Sequence, residues 1–126
     1  MSMENTKIRF YALAAGLMAV TTVVHVFAGG PENYTPLRAS GMDPVPLATM
    51  SVAWHMVTLQ LIVTTVALAY LVRHTNPVVW GGVFVMSLGS ATLFIGYGLS
   101  DFGDILTLPQ WIAFAGTTAL LLATRR

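Results

Sequence analysis

Two histidines, His25 and His55, stand inside stretches that are otherwise apolar enough to cross a bilayer, and they are the residues best placed to do chemistry. A polar ring costs free energy at that depth, so each must have a partner or a purpose. Neutral imidazole offers a lone pair on one nitrogen and an N–H on the other. Three chemistries use that pair. The rings could be the axial ligands of a b-type haem held between adjacent helices. With Glu32, Asp101 or Asp104 they could bind a divalent metal such as zinc or copper. They could also hydrogen-bond a quinone or another lipophilic ligand, with Tyr34 or Tyr97 nearby. The structural alternative is that each ring satisfies a contact between helices or with an outer loop, for instance His25 with Asp101 or Asp104. That alternative is the expectation. Bulky Phe27, Trp54 and Met56 flank the histidines where a haem macrocycle requires small neighbours.

The elements that must position these rings are helices. His25 lies about three residues before the outer end of its helix and His55 about two turns below the outer end of its own. At about 1.5 Å per residue the two occupy neighbouring depths. Each heads a polar stripe, Met18, Thr21, Thr22 and His25 on one helix and Ser51, His55, Thr58 and Thr65 on the other, and such stripes face a bundle interior. Gln60 reads as a helix-to-helix hydrogen bond.

The rest of the chain is apolar. Of 126 residues 56% are hydrophobic and only 9% charged, against about 25% charged in soluble domains. Four runs approach the roughly 20 residues that a span needs: about 10–28, 47–72, 78–99 and 108–124. They fill one domain and leave no room for a water-soluble catalytic unit. Lys7 and Arg9 before the first run, with Val26-Phe27-Ala28 at its end, also fit a cleaved leader. The run exceeds the roughly 7–15 residues of a leader core, so a retained helix is expected. Without cysteine there is no disulfide, thiolate ligand or iron–sulfur cluster.

Four spans put the N-terminus, the 73–77 connection and the C-terminus on one side. That side carries Lys7, Arg9, Arg73, Arg125 and Arg126 against Glu4, a net +4, while Glu32, Arg38, Asp43, Asp101 and Asp104 give the other side −3. Basic residues stay cytoplasmic, so both termini are expected inside. The fold class is therefore an all-α four-transmembrane-helix bundle.

The longest outer loop, Gly29–Pro46, holds four of the six prolines. Gly29-Gly30-Pro31 should end the first helix through a left-handed glycine, and the loop beyond it reads as a connector. Gly82, Gly89 and Gly96, with Ser90 beside them, form a stripe of small residues suited to close helix packing, for which Ala113, Gly116, Thr117 and Ala119 offer a partner surface. None of the five acidic residues lies within a span, as a proton-coupled pump or a small multidrug exporter would require. No nucleophile–base–acid set, phosphate loop or nucleic-acid face is present.

The segment Val24-His25-Val26-Phe27-Ala28-Gly29-Gly30-Pro31-Glu32, followed by Trp54-His55, resembles small four-helix bacterial inner-membrane proteins that have no assigned activity. The resemblance covers about the first half of the chain and implies a multi-pass inner-membrane location and topology, with nothing catalytic. The functional expectation is a small integral membrane protein, an accessory or structural subunit, whose partners are the lipid bilayer and a membrane protein or a second copy. The alternative is a redox or ligand-binding module built on His25 and His55.

Overall fold

The computed structural model describes residues 3–125, which are mostly helical with no strand among them. The elements are α1 (Met3–Phe27), a π-helical segment Gly30–Tyr34, α2 (Thr35–Arg38), α3 (Pro44–Leu71), α4 (Pro77–Tyr97), a second π-helical segment Gly98–Phe102, and α5 (Trp111–Ala123). Three helices, Glu4–Phe27, Pro44–Leu71 and Pro77–Phe102, are long and apolar enough to cross a membrane. The fourth apolar run is shorter than its sequence suggests, because Leu108 to Gln110 lie outside the helix.

Local chemistry explains the boundaries. Asn76 caps α4, its side-chain oxygen accepting from the N–H groups of Val78 and Val79 at 3.0 and 3.1 Å, with Pro77 in the first turn, where no N–H is needed. Gly103, at φ +74°, closes the second π segment in the left-handed conformation that favours glycine. At Gly29-Gly30-Pro31 the expected left-handed stop is absent. Gly29 keeps right-handed helical angles, and the chain continues in a wider turn in which Thr35 N–H bonds the Gly30 carbonyl. The wider turn suits Pro31, which has no N–H and crowds the preceding turn of an α-helix. The outer loop is thus mostly helical and folds back onto α3.

The helices pack as a ring in which α1 lies along α3 and α5, and α4 lies along α5 and, over a shorter length, α3. Inward positions recur at steps of three and four: Tyr11, Ala14 and Met18 on α1, Leu61, Thr64, Leu68 and Leu71 on α3, Phe114, Thr117 and Leu121 on α5. Steps averaging 3.5 are those of antiparallel helices packed at a shallow angle. The core is small, and Val20, Val45, Val66, Val78, Leu93 and many other large apolar side chains cover the outside.

The glycine stripe of α4 does not serve this packing. A Cβ at Gly82, Gly89 or Gly96 would meet nothing within 4 Å. Val83, Ser87 and Ala91 are the buried face of α4 instead, and Gly116 of α5 is close to Leu17 of α1, 3.2 Å from where its Cβ would stand.

Candidate functional site

His25 is half-buried on the side of α1 that meets α3. Its Nε2 lies 3.0 Å from Thr58 Oγ1, and its ring stacks on Trp54 with centroids 4.1 Å apart and planes at 21°. Trp54 and Thr58 are one turn apart on α3, so a single face of that helix supplies both a flat surface and a hydrogen-bonding oxygen. The Thr58 hydroxyl donates to the Trp54 carbonyl at 3.2 Å. Nε2 of His25 and the Trp54 carbonyl thus share the Thr58 hydroxyl, which engages Nε2 within the protein.

The folded outer loop completes the cluster. Tyr34 stacks on Trp54 at 5.8 Å and meets the His55 ring edge-on at 5.2 Å. Trp54 in turn lies close against Gly29, where a Cβ would stand 3.1 Å from its six-membered ring. Arg38 donates to Ser51 Oγ at 3.2 Å, fastening α2 to α3. The Gly29–Pro46 loop, expected as a connector, therefore covers the outer end of the α1–α3 pair.

The structure brings His25 and His55 into one aromatic cluster without a direct contact between them. His25 reaches Trp54 and Thr58, whereas His55 is exposed and touches Tyr34. The carboxylates expected to join them are occupied elsewhere. Asp101 accepts from Ser100 Oγ, and Asp104 accepts from the N–H groups of Leu106 and Thr107 and from Thr107 Oγ1. The backbone N–H and hydroxyl of Thr107, with the Leu106 N–H, hold the Asp104 carboxyl below its ordinary range. Glu32 is exposed on the π segment. Among the described residues no three His, Asp or Glu side chains gather as a metal-ligand set.

No family model, curated protein or solved structure matches the chain.

Other polar side chains in the apolar helices are used in the same way as His25. Gln60 Nε2 donates to Ser90 Oγ at 3.1 Å and ties α3 to α4. Trp80 Nε1 donates to Thr124 Oγ1 at 3.2 Å and ties α4 to the end of α5. Thr21, Thr22, Thr65, Thr117 and Thr118 return their hydroxyls to carbonyls one turn back on their own helices. Ser87 is the exception, with a buried hydroxyl that has no partner.

Sequence reasoning placed the histidines and Gln60 but read Trp54 only as an obstacle. The available signal was the close pairing of Trp54 with Thr58 at i, i+4, together with two adjacent glycines, Gly29 and Gly30, opposite a bulky ring.

A second concavity lies at the other end of the bundle. It is an open cleft of about 580 Å³ to which the first turns of α1, the α3–α4 connection and the end of α5 all contribute.

Proposed function

We propose that the chain is a multi-pass inner-membrane protein, a four-helix transmembrane bundle with both termini cytoplasmic, acting as a non-catalytic accessory or structural subunit. The observation that carries this reading is the shared cleft. Glu4 and Lys7, Arg73 to Pro77, and Thr124 and Arg125 line one cavity, and His25 and Tyr34 belong to the opposite end of α1. An even number of crossings places N-terminus, central connection and C-terminus together in this way. Five of the six Lys and Arg fall at that end by sequence, of which Arg126 lies outside the described residues, and a basic end is the cytoplasmic one.

The apolar exterior supports burial in lipid, since soluble monomers rarely expose contiguous apolar patches above a few hundred Å². The non-catalytic reading rests on how polar groups are used. His25, Gln60 and Trp80 each hydrogen-bond another helix. The histidine cluster is then a clamp that fixes α1, α3 and the outer loop to one another. A two-histidine haem site is less well supported, because Nε2 of His25 is already engaged with Thr58 and the His55 ring meets Tyr34 instead.

Accessibility labelling tests the topology. A single cysteine at Ser40 should react with a membrane-impermeant thiol reagent in intact cells, and one at Thr75 should react only after permeabilisation. The reverse pattern refutes the orientation, and equal labelling refutes the even span count. For the histidines, colourless protein purified from cells supplied with haem supports the clamp. A Soret band lost in both His25→Ala and His55→Ala would replace it with the cofactor reading.

A further inference from the structure

The basic cleft lies at the opposite end of the bundle from the histidine cluster. Three cations line it, Lys7 from α1, Arg73 from the α3–α4 connection and Arg125 after α5, against one acid, Glu4. Among the described residues none of the three forms an ion pair. Three cations from three chain segments against a single carboxylate leave the cleft with an excess of positive charge, which an anion relieves.

Arg125 is held ready for such a ligand. Its guanidinium carbon lies 3.9 Å above the Trp80 ring, and that ring is fixed by its bond to Thr124 and by stacking on Phe84 at 5.0 Å. A guanidinium laid on an aromatic face keeps its N–H fork directed outward, which suits a phosphate oxygen pair. The remaining wall is mixed, with polar His74, Thr75 and Asn76 beside apolar Ile8, Leu71 and Pro77. Inorganic phosphate gains nothing from the apolar side chains, whereas the glycerol and first acyl carbons of a lipid would cover them.

We propose that this cleft binds the phosphate headgroup of an anionic membrane lipid, with Lys7, Arg73 and Arg125 as its counter-charges and the apolar side chains of the wall against its glycerol backbone. The proposal rests on the membrane reading above. Basic clefts between helix ends at the cytoplasmic face have the charge and depth for this role, and each Lys or Arg near an anionic surface contributes about 1 kcal/mol, a factor of about five in affinity.

The test is lipid retention by the purified full chain in detergent, read by native mass spectrometry after exposure to phosphatidylglycerol or phosphatidylcholine of identical acyl chains. The wild type should retain phosphatidylglycerol at least about tenfold over phosphatidylcholine. Arg73→Gln, an exposed change that leaves packing intact, should lower that preference about fivefold. The triple change Lys7→Gln, Arg73→Gln, Arg125→Gln should abolish it, while Arg38→Gln at the opposite end should not alter it. Equal retention of both lipids by the wild type, or an unchanged preference in Arg73→Gln, overturns the proposal. Displacement of phosphatidylglycerol by millimolar inorganic phosphate overturns the lipid as the ligand in favour of the free anion. Extraction of the chain from membranes by alkaline carbonate would defeat the membrane reading itself. A carbonate-resistant chain without lipid preference defeats only the headgroup site.

Discussion

Gly29 and Trp54 approach so closely that the indole of α3 lies against the backbone of the chain leaving α1, 3.1 Å from where a Cβ would stand. The same indole is stacked by His25 and Tyr34. A single ring therefore meets helix, turn and loop, and displacing it should loosen all three.

Gly29→Ala is the direct test. The added methyl requires Trp54 to give by a few tenths of an ångström, and the indole, held between His25 and Tyr34, resists that shift at a cost of about 1 kcal/mol, the low end for an overpacked site. Thermal unfolding in detergent should report the loss, and indole emission should move to longer wavelength. Gly30→Ala, where a Cβ meets nothing within 4 Å, should change neither reading.

A double-mutant cycle on His25 and Thr58 should give a coupling near 0.6 kcal/mol, the average for hydrogen bonds between membrane helices. His25→Ala and His55→Ala, which share no contact, should be close to additive. A large coupling between the two histidines would indicate a ligand shared by both.

Ser87→Ala should stabilise the fold. The Ser87 hydroxyl is buried without a partner, and such a group costs about 1–3 kcal/mol that alanine recovers in part. Ser90→Ala provides the contrast, because it removes the partner of Gln60 and should destabilise.

Acid should weaken the turn before α5. Because the hydrogen bonds from Thr107 and Leu106 depress the Asp104 carboxyl below its ordinary value of 3.8, the stability it contributes is complete above that value. It is lost as the pH falls through the lower folded value. The melting temperature of the wild type should therefore drop below about pH 4, and in Asp104→Ala that part of the drop should be absent. Equal acid sensitivity in both proteins would refute the role of Asp104.

The long apolar runs were legible in the sequence, since length and apolarity do not depend on neighbours. The facing of the helices was not. In a soluble helix the polar side marks the exterior, but here exposed Val85 and buried Val83 have the same chemistry, so composition alone cannot orient α4. Its glycines were accordingly assigned to the wrong face. The partner of His25 was hidden for a related reason. Asp101 and Asp104 are the stronger acceptors in principle, but each is satisfied within its own turn, and only the fold brings Thr58 to the ring. The wide turn at Gly30–Tyr34 depended on how Pro31 is accommodated, and the paired glycines before it fit a stop equally well.

The shortness of α5 has a consequence for the surrounding lipid. Thirteen residues rise about 20 Å, roughly 10 Å less than the hydrocarbon thickness of a typical bilayer, whereas α1, α3 and α4 match or exceed it. In the four-span membrane reading proposed above, a bundle tall on three sides and low on the fourth would tilt the local membrane surface and thin the leaflets beside Trp111–Ala123. Mismatch of this kind costs a fraction of a kcal/mol per Å and is relieved when low sides of two proteins meet. The low side of α5 is then where neighbouring membrane proteins should collect.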